Sequence, residues 1–399
     1  MEEEMQKVKN VLKMVLFSLV SMATMLAIPV NVYAKGAEAQ DLSEGLRQVQ
    51  QYNFSIGILA MLLVGFGFLM VFVKNYGYSA TTGTYLVVAV GIPLYLFLRF
   101  TGIISAEPVE PQTIEAFLLA EFAVAAALIS MGAVLGRMKV YQYALVALLL
   151  VPLYTLNEWL VLDGGLDVTK GFVDSAGSIV IHTFGAYFGL GLALAIAKKK
   201  QQNPAIESDA VSDRFSMLGS MILWIFWPSF CSAIVPEADF QKTVVNTVLA
   251  LCGATLVSYL FSTLIRKKKT AIADIANASL AGGVAIGATC NLVNGVTAYI
   301  IGMLAGAVCV IGYTVIQPKL EKKLNFTDTC GIHNLHGMPG LLGGLVAILV
   351  VPGIAKAQFV GIIFTVVLAL AGGFLAGKII SLTGSKEKMY EDCDEFLEV

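Results

Sequence analysis

Long apolar runs alternate with short polar linkers along the chain after Lys35. A helix needs about 20 mostly apolar residues to cross a bilayer core about 30 Å thick. The linkers carry most of the charge and leave no room for a separate soluble domain. The pattern therefore predicts an all-α polytopic membrane protein of eleven transmembrane helices, near residues 53–73, 79–98, 114–135, 140–161, 173–197, 215–235, 243–265, 271–293, 295–316, 327–351 and 357–380.

The first 34 residues have a different pattern. Three lysines precede an apolar run that ends at Ala34, which is typical of a cleaved secretory signal peptide. The alternative interpretation is an additional first transmembrane helix. We therefore expect a signal peptide over 1–34, a membrane domain over 35–385, and a short acidic tail over 386–399 that has the composition of a solvated cytoplasmic end.

The distribution of Lys and Arg predicts the orientation of the helices. If the mature N-terminus lies outside the cell membrane, 17 basic residues fall on the inner side, 6 on the outer side and 3 in the signal segment. This excess favours an outer N-terminus and a cytoplasmic C-terminus. An odd number of spans, such as eleven, satisfies that arrangement.

Composition narrows the classes of function. Hydrophobic residues make up 57% of the chain, charged residues make up 14%, and the net charge is -2. These values exclude a solvated cytosolic enzyme and a basic nucleic-acid binder. None of the six cysteines falls in a predicted outer loop, so we expect no structural disulfide.

Two copies of one motif stand out because ionisable residues are expensive inside a membrane. Asp174 to His182 and Asp328 to His336 both read D-x2-G-x4-H. The copies lie five spans apart, so they run in opposite directions through the membrane. This indicates an inverted repeat of spans one to five and six to ten, with span eleven appended, and such repeats place their site near the midplane.

Helical rise predicts where these residues lie. Eight residues at 1.5 Å each put each histidine about 12 Å deeper than its aspartate. We expect Asp174 toward the outside, Asp328 toward the inside, and His182 and His336 converging near the middle. The aspartates have two open roles, capping of helix starts or direct electrostatic action at the entrance. His333 lacks a repeat partner and is interpreted as structural.

Other chemistry is poorly supported. Cys330-x2-His333-x2-His336 resembles metal-ligand spacing, but positions i and i+6 do not share a helix face, and we expect no metal or cofactor. The chain has no G-x-S-x-G elbow, phosphate loop or dinucleotide fingerprint, so no enzyme is predicted.

Several long stretches resemble the ammonium transporter and Rh superfamily, and more narrowly a bacterial version of its Rh (Rhesus-type) branch. The resemblance covers nearly the whole mature chain. The stretches are Phe66-Gly-Phe-Leu-Met70, Ile181-His-Thr-Phe-Gly-Ala-Tyr-Phe-Gly-Leu190, Phe226-Trp-Pro-Ser-Phe-Cys-Ser-Ala233, Asn277-Ala-Ser-Leu-Ala-Gly-Gly-Val284 and Asp328-Thr-Cys-Gly-Ile-His-Asn-Leu-His-Gly-Met-Pro-Gly340.

The resemblance implies a homotrimer of eleven-helix subunits with one pore each. In this family, matching positions form a pore histidine pair, two phenylalanines that close the outer vestibule, and an acidic residue beneath the vestibule with its inner counterpart. In this sequence, those positions are His182 and His336, Phe122 and Phe230, and Asp174 and Asp328.

Two departures from the family pattern qualify this picture. Cys231 stands where Rh sequences more often have asparagine. The tryptophan and serine of the external cation site in the ammonium-transporter branch have no match, since Leu162 and Ile234, the nearest positions by offset, are apolar. This favours a weaker-affinity Rh-type pore.

The expected substrates are ammonia and ammonium, with methylammonium and carbon dioxide as further permeants. Burying an unpaired charge is very costly, so we expect ammonium to lose its proton near the outer vestibule and neutral ammonia to cross past a mostly neutral histidine pair. A carbon dioxide or mixed-gas channel and an ammonium sensor that signals through the acidic tail remain as alternatives.

Overall fold

The computed structural model describes residues 42–104, 110–197 and 204–397, and within these ranges the regular structure is helical. The signal-peptide prediction lies outside the described residues. Ten of the described helices are long and apolar enough to cross a membrane. With the shorter apolar helix α8 included, the elements are α1 Glu44–Phe72, α2 Gly77–Thr101, α3 Ile114–Ala133, α4 Val140–Val161, α5 Ser178–Ala195, α6 Ala210–Ser232, α7 Glu237–Ile265, α8 Ile272–Ile286, α9 Gly295–Leu324, α10 His333–Val350 and α11 Ala355–Ser381.

The eleven elements follow the predicted spans in order, but α8 is too short to count as a crossing helix. It consists of two pieces, Ile272–Ala278 and Ala281–Ile286. Side chains of other helices satisfy its backbone: the hydroxyl of Ser220 donates to the Ala276 carbonyl and that of Ser178 to the Val284 carbonyl. Non-helical backbone at membrane depth is tolerated where protein surrounds it. The count of eleven crossing helices stays a prediction.

Helices α5 and α10 run antiparallel, as the inverted repeat predicts. We call the end of the bundle that contains the C-terminal residues the tail end, and the opposite end the gate end. The segment before α5 lies at the gate end, where Val173 and Gln358 exchange two hydrogen bonds of 2.9 Å. The segment before α10 lies at the tail end, where the Thr329 amide donates to the Ala133 carbonyl.

Helix α3 lies at the centre of the bundle. Every residue from Ala120 to Ala133 is buried, and α1, α2, α4 and α5 pack around it. Small residues dominate this stretch and let the neighbouring backbones approach closely. α3 is therefore enclosed by the other helices of the first repeat.

The described part of the tail, residues 386–397, is only partly solvated: Lys386, Tyr390 and Asp392 are buried, while Glu387, Lys388 and Asp394 are exposed. The Asp392 carboxylate accepts hydrogen bonds from the Tyr78 and Ser79 amides, at 3.0 and 2.8 Å, and so caps α2. The Tyr390 amide donates to the Gly136 carbonyl. Lys386 is buried, with its Nζ 5.3 Å from the centroid of the Tyr76 ring. Acidic composition misled the prediction because one acidic side chain serves as a helix cap.

Candidate functional site

The two D-x2-G-x4-H motifs fold as matching helix starts. Gly177 and Gly331 occupy the left-handed region, at φ 78° and 67°, which other residues rarely adopt. This turn brings each aspartate back over the first helical amides. Asp174 Oδ2 accepts from Ile179 and Val180, at 2.9 and 2.8 Å.

The Asp328 carboxylate does the same at the tail end, accepting from the Ile332 and His333 amides at 3.0 Å each. The continuous helix from aspartate to histidine, on which the expected rise of about 12 Å depends, is therefore wrong, because the first residues of each motif form a turn. The capping role accounts for both oxygens of Asp328. In Asp174 it accounts for Oδ2, while Oδ1 is buried without a hydrogen-bond partner in the described part of the chain.

These turns bring the side chains of His182 and His336 into contact. Nδ1 of His182 lies 3.2 Å from Nδ1 of His336, and the rings are nearly parallel at 13°. Both side chains are buried. Two neutral imidazoles at this distance share one hydrogen bond, with one Nδ1 donating and the other accepting, and the geometry leaves the direction open.

Aromatic rings cover the histidine pair on both sides. Trp227 stacks on His182 at 5.7 Å and 21°, and the Phe230 ring lies 5.6 Å from the same imidazole. On the other side Phe66 stacks on His336 at 6.2 Å and 25°. Gly283 makes room for this arrangement, because a Cβ there would collide with the Trp227 ring.

Phe122 and Phe230 are in contact next to His182. Their ring centroids lie 4.7 Å apart with an interplanar angle of 64°, an edge-to-face arrangement, and both side chains are buried. Beyond His336 lies a mainly apolar cavity of about 20 Å³, room for about one water molecule. Its lining includes Phe66, Leu128 and Gly132. Aromatic rings therefore flank the histidine pair, and a mainly apolar cavity lies next to His336.

His333 does not join the pair. Its ring meets Tyr187 edge-to-face at 5.6 Å, which is consistent with a structural interpretation. Two residues that shape the site, Phe66 and Trp227, received no individual role from the sequence, because an aromatic residue in an apolar span is usually a packing residue. Both residues do lie within the stretches Phe66–Met70 and Phe226–Ala233, which resemble the family.

Two exposed apolar residues follow α4 and α6 at the gate end. Leu162 and Ile234 are 40% and 42% exposed and offer no polar group to a cation. Cys231 follows Phe230 in the chain and is buried. The Cys290 thiol lies 3.9 Å from the carbonyl oxygen of Cys231.

Comparison with known proteins places these features in context. The model of the Ammonium Transporter Family matches residues 13–397. The ammonium transporter Rh type C of Xenopus laevis is 40% identical over 72% of this chain and 60% of its own length. The Rh type B protein of Xenopus tropicalis is 36% identical over 83% of this chain and 79% of its own.

A solved structure of Rh50 from Nitrosomonas europaea is similar over most of this chain. It superposes with a TM-score of 0.88 at 61% identity, over 89% of this chain and 93% of that one. The description of that structure concerns conduction by the Rhesus protein family of channels.

Proposed function

Because this chain belongs to the ammonium transporter family, we propose that it is an Rh-type channel that conducts ammonia past His182 and His336. The observation that carries the proposal is the 3.2 Å Nδ1–Nδ1 contact, which lies next to a cavity with a mainly apolar lining. Ammonium sheds its proton at the gate end, and neutral ammonia enters.

Desolvation supports the neutral permeant. A lone cation that leaves water for this narrow apolar pathway loses its hydration without gaining a matched set of acceptors, whereas ammonia loses far less. The histidine pair offers ammonia both an acceptor and a donor, since a neutral imidazole carries one of each. The Phe122–Phe230 contact blocks the pathway to hydrated ions until the rings move.

The assembly and orientation belong to the same proposal. We propose a homotrimer with the gate end outside the cell membrane, the tail end in the cytoplasm, and membrane lipids around the exposed apolar faces. The distribution of Lys and Arg supports the orientation. Native mass spectrometry of detergent-solubilised protein tests the trimer, and protease protection of the tail in oriented vesicles tests the topology.

Ammonium pulses on proteoliposomes test the conduction. We expect protein-dependent alkalinisation of the lumen, reported by a trapped pH dye. On supported membranes, a sustained current would contradict purely neutral conduction. A carbon dioxide or mixed-gas channel is favoured by the same apolar lining, and stopped-flow acidification of the lumen by carbon dioxide distinguishes the two gases.

A further inference from the structure

One buried carboxyl plays no part in the proposed conduction of ammonia. Glu121 on α3 is fully buried, and neither of its carboxyl oxygens has a hydrogen-bond partner in the described part of the chain. Unpartnered buried carboxyls are expensive, and ionisable residues within membrane-spanning helices usually mark a functional site.

The register of α3 turns Glu121 toward the pathway. Leu128 is seven positions and Gly132 eleven positions further along, which at 3.6 residues per turn puts each of them within about 20° of Glu121 around the helix axis. Leu128 and Gly132 line the cavity beneath His336. Glu121 lies on the same stripe, toward the gate end, and directly precedes Phe122 in the chain.

The other half of the repeat contains a contrasting residue. An offset of 154 residues relates the two motif aspartates and the two histidines, and an offset of 153 relates Glu121 to Asp274. Asp274 is also fully buried, but Arg266 binds it through two hydrogen bonds of 2.7 and 2.9 Å, and the Ser262 hydroxyl adds a third at 2.6 Å. Among the described residues, one half therefore pairs its buried carboxylate with an arginine, while the other half gives its buried carboxyl no hydrogen-bond partner.

We propose that Glu121 is the counter-charge that holds ammonium or methylammonium at the gate end of the pathway, next to the Phe122–Phe230 contact, before the cation returns its proton to water at the gate end and ammonia moves on. This rests on the proposed function. A small cation with several N–H donors matches two carboxyl oxygens that have no donor among the described residues, and its positive charge allows the buried carboxyl to be ionised when the cation is bound. The site supplies the cation recognition that Leu162 and Ile234 do not provide at the surface.

The test compares Glu121→Gln with Glu115→Gln in proteoliposomes. Both variants remove one carboxylate from α3, but Glu115 is exposed at the gate end of the helix. Initial rates of lumen alkalinisation are measured against ammonium chloride concentration, and labelled methylammonium uptake is measured in parallel. We expect Glu121→Gln to raise the half-saturating concentration of both cations about tenfold, equivalent to about 1.4 kcal/mol. The maximal rate should change less than twofold, and Glu115→Gln should match the unmodified protein.

Half-saturating concentrations that are the same in Glu121→Gln and the unmodified protein would overturn the proposal while leaving the proposed channel intact. If the unmodified protein shows no protein-dependent flux, the proposed function itself fails, and this proposal fails with it. A lower maximal rate at unchanged half-saturation would assign Glu121 a packing role and likewise overturn cation binding.

Two further variants show whether a loss of affinity comes from the missing carboxylate or from misfolding. Glu121→Met replaces the carboxyl with an apolar side chain of similar length, which removes the cost of burying it, and should show the same loss of affinity as Glu121→Gln. Glu121→Asp keeps the charge and should recover at least half of the lost affinity on a logarithmic scale. No recovery in Glu121→Asp combined with normal affinity in Glu121→Met would contradict the counter-charge role.

Discussion

Nδ1 of His182 and Nδ1 of His336 lie 3.2 Å apart although 154 residues separate them in the chain. Each imidazole satisfies the other at the point where helices from opposite ends of the bundle meet. Removing either one leaves a buried ring nitrogen without its partner, which costs about 1–3 kcal/mol. Neither histidine holds a helix together, so the fold should tolerate the loss.

We therefore expect His182→Ala and His336→Ala each to lower ammonia permeability at least severalfold while the protein remains folded. The measurement is ammonium-driven alkalinisation of proteoliposomes, with thermal unfolding in detergent as the folding check. His333→Ala is the matched control, because that ring contacts Tyr187 outside the pair. Unchanged permeability in both pair variants would contradict the site.

The Phe122–Phe230 contact predicts a change of selectivity. Phe230→Ala should open the narrowest aromatic section and raise methylammonium uptake relative to ammonia flux, because the edge-to-face pair is lost. Phe240→Ala is the control, since Phe240 pairs with Phe54 instead, at 5.6 Å. An equal ratio of the two fluxes in both variants would show that this contact does not act as a gate.

Two substitutions distinguish the capping role of Asp174 from an electrostatic role at the entrance. Asp174→Ala removes the acceptor for the Ile179 and Val180 amides and should destabilise the protein by about 1–2 kcal/mol. Asp174→Asn keeps one acceptor oxygen and should retain most of that stability. Thermal unfolding midpoints measure the difference.

If flux is also normal in folded Asp174→Asn, the carboxylate acts as a cap alone. Loss of flux at normal stability assigns it an electrostatic role at the entrance as well. Asp209→Ala is the control for loss of a cap, because Asp209 caps α6 in an exposed position.

The docked tail yields a further prediction. Asp392→Ala should release residues 386–397, because this carboxylate caps α2 through two amides. Faster amide hydrogen exchange and earlier proteolysis in that segment are the expected results. Glu387→Ala, which alters an exposed acidic residue of the same tail, should leave both unchanged. Equal protection in the two variants would contradict capping as the anchor.

Burial also raises the pKa of the Tyr390 phenol above its usual value. The folded state favours the neutral phenol, so its stabilising contribution is fully present below about pH 10, the ordinary pKa of tyrosine, and is lost as the pH rises through the folded pKa. Tyr390→Phe should therefore weaken the fall in thermal stability above pH 10. Tyr52→Phe, at an exposed position, should follow the unmodified protein. Coincident curves for Tyr390→Phe and the unmodified protein would refute this linkage.

Much of the architecture can be predicted from the sequence because membrane insertion is a local, one-dimensional requirement. Apolar runs of sufficient length positioned the eleven helical elements, and the paired D-x2-G-x4-H motifs predicted that His182 and His336 would converge. The predicted span 271–293 is longer than α8, because hydropathy does not report where glycine, alanine and polar contacts interrupt a helix.

The sequence by itself determined the membrane class, the antiparallel repeat and the identity of the histidine pair. Tertiary structure decided the matters that depend on partners distant in the chain. It turned Asp174 and Asp328 into helix caps and docked Asp392 on α2. Among the described residues it left Glu121 without a hydrogen-bond partner, while Asp274 received Arg266. Hydropathy and motif spacing follow from the residues alone, whereas satisfaction of a buried polar group depends on which atoms the fold brings within hydrogen-bonding distance.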